Sequence, residues 1–201
     1  MDFSFNEAAA KTEGGSGGSK VLDTGVSDVV IKTASRVVAS TGTVGIDWSI
    51  QVGDSKYPNM VYGVWMHKKD GSPIAMNFNP LQGLMGLNGI KGLTTFNKEI
   101  EVKGGTKTVE AFKELDGLAT KVAIVKVLDI YNGVTEKNEI RGWMDPKTDQ
   151  TFTEKTAGKD AKQIKYYSKM QDSETDKYKK RMAEVGDEIE AENTDDSGSL
   201  L

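Results

Sequence analysis

The sequence predicts a mainly β protein on three observations: runs rich in β-branched residues, one run of strict apolar and polar alternation, and glycine-marked turns between them. GVSDVVIKTASRVV (25–38) is long and rich in valine, isoleucine and threonine, a composition that suits a pleated, half-buried surface. Thr41-Gly42 turns the chain. TVGIDWSIQV (43–52) then alternates, with Val44, Ile46, Trp48, Ile50 and Val52 on one face and Thr43, Gly45, Asp47, Ser49 and Gln51 on the other. That is the period of a strand with one buried side. MVYGVWMHK (60–68) makes a third strand ending at Lys69-Asp70-Gly71, whose Asp-Gly is a strong hairpin signal.

NPLQGLMGLNGIKGL (79–93) changes period. Asn79 suits an N-cap and Pro80 the first helical position, Leu81, Leu84 and Met85 follow helical spacing, and Asn88-Gly89 closes the turn. Gly83, Gly86, Gly89 and Gly92 recur every third residue, but without the Gly-Lys-Ser/Thr ending or the Gly-x-Gly-x-x-Gly order of a phosphate loop, so close helix packing is the expected use. Residues 94–120 hold a Gly104-Gly105 turn and one helical turn around Val109, Phe112 and Leu115. KVAIVKVLDIY (121–131) is apolar on both faces and reads as a central strand, broken at Asn132-Gly133. Glu139 to Met144 makes the last strand. Five strands with a helix between the third and fourth is the element order of a five-stranded OB-fold barrel.

The expected organisation is a flexible N-terminal arm and Gly/Ser tether over 1–20, an OB domain over 21–154, a basic helical extension over 155–182 and a disordered acidic tail over 183–201. The tail holds seven acids and no base; with it set aside, 26 bases face 23 acids, so a mildly basic body carries an acidic appendage. There is no cysteine and one histidine, His67, which leaves little material for a zinc site or a catalytic triad. A non-catalytic protein without metal or cofactor is expected, and with no apolar run of membrane-spanning length and no signal-peptide pattern, a cytoplasmic one.

The series FSFNEA, the Gly/Ser tether, GVSDVVIKTA, TVGIDWSIQV, KKDGSPI, LQGLMGLNGI, LATKVAIVKVLDIYNG and NEIRGWMDPKTDQTFTE resembles the single-stranded DNA-binding proteins of tailed bacteriophages over roughly residues 2–155. The resemblance implies a protein of the host-cell cytoplasm that coats single strands during phage replication and recombination. It also implies an acidic C-terminus that contacts other replication proteins, here through Asp195, Asp196 and the closing Leu200 and Leu201. Tails of this family often end in an aromatic residue, and this one ends in two leucines, which leaves the docking mode open.

Sequence-tolerant single-strand binding needs cations along the phosphate track and aromatic faces for the bases. Alternation sorts the candidates. On the third strand Met60, Tyr62, Val64 and Met66 form the apolar set, which puts Val61, Trp65 and His67 outside. On the last strand Ile140 and Met144 point inward, so Arg141 and Trp143 point out; on the first, Lys32 and Arg36 lie outside. Lys56 and Tyr57, with Lys68 and Lys69, fall in loops beside that surface, while Trp48 belongs to the core. From Lys155 to Arg181 nine bases face four acids, with Tyr166, Tyr167 and Tyr178 interleaved. Lys155, Lys159, Lys162, Lys165 and Lys169 share one helical side there, favouring phosphate. The acidic tail then offers this basic surface an intramolecular substitute for phosphate, which DNA must displace. The competing expectation is an OB-type protein-interaction or structural module without nucleic-acid affinity, because a fold does not fix its ligand.

Overall fold

Long, β-branched strands dominate the chain and set its architecture. The computed structural model describes residues 21–55, 58–102, 105–129 and 135–195. They form seven strands, β1 (Gly25–Val38), β2 (Val44–Val52), β3 (Asn59–His67), β4 (Thr95–Val102), β5 (Gly105–Phe112), β6 (Ala119–Asp129) and β7 (Thr135–Met144). Three helices accompany them: α1 (Ala75–Leu87), α2 (Phe152–Thr156) and α3 (Gln163–Asp195).

β1 is long enough to serve two neighbours on one edge. Its other edge pairs with β2 throughout, in antiparallel register from Val29 opposite Val52 to Val38 opposite Val44. On the shared edge Gly25–Val30 pairs with β6, and Ser35 meets Ala111 of β5. A 3-10 turn, Lys113–Leu115, joins these two partners. Beside it Gly117 N–H donates to the Ile31 carbonyl (2.8 Å) and Ile31 N–H to the Leu118 carbonyl (2.9 Å), so the backbone stays satisfied where the neighbour changes.

All pairings are antiparallel, in the order β3-β2-β1-β5-β4, with β6 on β1 and β7 on β6. This corrects the expected five-stranded barrel: the sheet has seven strands, and among the described residues no ladder joins β3 to β7, so it does not close. Helix α1 packs against both of those strands instead. Its Leu81 and Leu84 join Trp48, Ile31, Ile50, Val61, Val122, Ile124 and Trp143 in the core.

The extra strands are the β4–β5 hairpin, which pairs from Thr95 opposite Phe112 to Val102 opposite Gly105, where a helical turn was expected around Val109. Leu115 lies in the 3-10 turn as a fully buried residue. Helix α1 begins four residues before Asn79, and Pro80 stands inside it. Contacts with β3 account for the early start: Ile74 N–H donates to the Met66 carbonyl (2.7 Å), and the Asn77 side chain donates to the Trp65 carbonyl (2.9 Å). The helix closes at Asn88 as the sequence indicates. Of its glycine series, Gly86 serves close packing, since a Cβ there would lie 2.6 Å from the Phe152 ring of α2.

The expected basic helical extension 155–182 is split: Lys155 lies in α2, Lys159 and Lys162 precede α3, and only from Gln163 does one helix run, so the five lysines do not share one helical side. Helix α3 packs on β6 and β1 and continues through Asp195, so 183–195 are helical where a disordered tail was expected. Glu154 seats it. Its carboxylate accepts Thr151 N–H (2.9 Å) in a capping box, and also Lys162 N–H (2.8 Å) and Gln163 N–H (2.7 Å) at the start of α3. Further along, Gln171 lies against Gly25, and Tyr178 donates to Glu136 while Lys126 Nζ sits 4.8 Å from its ring centroid.

Candidate functional site

The outer face of β3 departs from simple alternation at Gly63, whose φ of 60° is a left-handed conformation that suits glycine. Val61 stands opposite Trp48 and Val64 opposite Ile46, so two residues, Tyr62 and Gly63, face the single Asp47. That is a β-bulge. Gly63 N–H donates to the Asp47 carboxylate (2.6 Å), which pins it. Across a bulge the parity of a strand reverses. Val61 is therefore buried at 1% exposure, and Tyr62 is 67% exposed, both opposite to the sequence expectation.

Beyond the bulge the expected assignment returns. Met66 is buried, and Trp65 lies half-buried on the outer face opposite Gly45. The six-membered ring of its indole covers two glycines: a Cβ on Gly45 would meet it at 2.7 Å and one on Gly63 at 3.4 Å. Tyr62 and Trp65 thus share one face, three residues apart, with the bulge between them.

Cations gather at the end of β3. Lys68 and Lys69 are exposed in the turn after it, and the Lys69 side chain runs past Gly42 in the β1–β2 turn. Within the same turn Asp70 is held below the usual carboxylate range by the Ser72 hydroxyl and then by Ser72 N–H. His67 is half-buried with its ring edge-on to Phe78, centroids 4.9 Å apart. Lys32 is exposed at a second bulge, between Ile31 and Thr33, and its carbonyl accepts from Lys98 (2.6 Å).

Arg36 does not join this face. It is opposite Ile46, hence on the side away from Trp65, and it pairs with Glu110 at 3.1 Å. Trp143 is a correction of the same kind as Tyr62. Ala123 stands opposite Gly142 and Ile124 opposite Ile140, so Arg141 is bulged, and Trp143 turns inward to 3% exposure. It meets Trp48 with ring centroids 5.1 Å apart. Arg141 is half-buried, paired with Glu139 at 3.0 Å, and its carbonyl accepts the Tyr167 hydroxyl (3.2 Å).

Lys56 and Tyr57 lie outside the described residues, as do Asp196, Leu200 and Leu201; Asp195 is the last residue of α3. Tyr62 is the site residue that alternation misses, and Gly63 is the signal that finds it, because glycine inside a strand marks a bulge.

The arrangement offers an exposed phenol, a partly open indole and two lysines at one sheet end, suited to flat, anionic, unpaired ligands. Among the described residues no three of His, Asp or Glu converge as a metal site, and no helix is long and apolar enough to cross a membrane. No protein-family model, no curated protein and no solved structure matches the chain.

Proposed function

We propose that the protein is a non-catalytic single-stranded DNA-binding protein that coats strands without sequence preference during phage replication and recombination. The observation that carries the reading is the pairing of Tyr62 and Trp65 on one outer face across the Gly63 bulge, beside Lys68 and Lys69. Bases stack on the two rings, at about 1–3 kcal/mol each, and the lysines follow the phosphates. Lys32 adds a further cation, and Lys56 and Tyr57 are proposed contacts from the sequence alone. The carboxylates after Val185 compete with DNA for the basic surface and recruit replication or recombination proteins through Asp195, Asp196, Leu200 and Leu201.

Intrinsic fluorescence tests this directly. Trp48 and Trp143 are buried, so the response to a ligand belongs to Trp65. Titration with oligo-dT of about thirty nucleotides should quench emission with a steep salt dependence, duplex of equal length should quench little, and Trp65→Phe should abolish the effect. No response to either probe overturns the reading and leaves a protein-interaction module. Val185 is 6% exposed, so truncation after Gly186 removes acids while sparing that contact. Tighter binding of oligo-dT at low salt is the expected result; unchanged affinity sinks the self-competition.

A further inference from the structure

The tyrosines of α3 divide into two classes by what they touch. Tyr167 is fixed: it donates to the Arg141 carbonyl (3.2 Å) and covers Gly142, where a Cβ would collide with its hydroxyl. Tyr166 is 58% exposed and stands edge-on to Tyr167, ring centroids 5.8 Å apart at 60°. The exposed ring is thus held from behind by an anchored one. Helical spacing puts Lys162, at the N-terminal edge of α3 and four residues before, and Lys169, three after, on its side, while Lys165, one before, projects about 100° round the helix and neighbours both lysines; all three are exposed. Among the described residues none of these three has an ion pair, whereas Lys155, Lys177 and Arg181 are each paired with a carboxylate.

We infer that this face of α3 is a second contact for a single-stranded polynucleotide, with Tyr166 stacking a base and the three lysines holding the flanking phosphates. The inference rests on the proposed single-strand binding and adds a site on a different element. An acidic peptide would satisfy the lysines but gives no reason for an oriented, exposed ring among them. A strand long enough to reach both surfaces occupies more nucleotides than the β3 face alone needs.

The test uses the full chain, wild type beside Lys162→Ala/Lys165→Ala/Lys169→Ala and Tyr166→Ala. Alanine is the best helix former, so α3 is kept, which circular dichroism checks. With oligo-dT of about thirty nucleotides the triple variant should lose about 2 from the slope of log K against log salt, near 0.7 per phosphate contact. Tyr166→Ala should weaken binding about 5- to 150-fold and shorten the occluded length. With oligo-dT of about eight nucleotides, Trp65 quenching should be the same in all three proteins. Wild-type slope and affinity in both variants overturn the second site while leaving the β3 site standing. Equal displacement of oligo-dT by poly-glutamate, with Tyr166→Ala silent, makes the face an acidic-protein dock instead. Failure of the wild-type chain to bind oligo-dT overturns both proposals together.

Discussion

The three tryptophans are chemically alike but serve differently because of the bulges beside them. Trp143 joins Trp48 inside, and its replacement by alanine should lower stability by about 3–5 kcal/mol, read as a fall in the urea midpoint. Trp65→Ala should lower it less and, under the proposed function, remove the quenching by oligo-dT. Gly45→Ala tests the close approach under the indole. The new methyl would lie 2.7 Å from Trp65 and 2.9 Å from the Val64 carbonyl, which has little freedom to move. Loss of about 1–3 kcal/mol with a shifted Trp65 emission is the expected outcome. Alternation reads β2 correctly, including buried Trp48, and exposed Lys32 on β1, but past the Ile31/Thr33 bulge it misplaces Arg36, which stands opposite buried Ile46. It inverts Val61, Tyr62 and Trp143 because a one-residue bulge shifts parity without altering composition. Glycines 63 and 142 mark both places.

Helices and hairpins were legible in proportion to how far local signals decide them. The Asn88 closure of α1 is local and was readable; its start is set by hydrogen bonds from β3 and was not. The β4–β5 hairpin is hard to read locally because most of its residues are exposed, leaving little apolar period. Docking of α3 depends on charge. Hydrogen bonds from Tyr178 and then Lys126 hold Glu136 below the usual carboxylate range. For Glu154 burial acts upward, but the backbone donors of Thr151, Gln163 and Lys162 outweigh it, and the net shift is downward. A depressed folded value means the stabilisation is full above the unfolded pKa, about 4.3, and disappears as pH falls through the lower folded value. Hydrogen exchange should therefore show α3 loosening from the sheet below about pH 4 while β1 and β6 stay protected. Glu154→Ala should produce the same local loss at neutral pH, about 1 kcal/mol. Gly142→Ala should displace Tyr167 and loosen α3 without touching Glu154.

Taken as one body, the molecule separates its interior from its contacts. The core lies between strands β1, β2 and β3 and strands β6 and β7 under α1, while cationic and aromatic groups occupy the β3 end and the outer side of α3. Sequence patterning supplied the mainly β class and most of the core, but pairing between distant strands decides whether a sheet closes, and no local pattern encodes the gap between β3 and β7. The double partnership of β1 also carries a kinetic consequence. Its β2 edge is complete once Val52 has been made, whereas Gly25 must wait for Ile124, about a hundred residues later, before its second edge is paired. A nascent chain halted before β6 therefore presents a long, half-paired strand, open to pairing with the β6 of another copy. Stalled chains ending before residue 119 should be protease-sensitive along β1, and crowded refolding should yield exchanged dimers in which β6 and β7 have changed hosts.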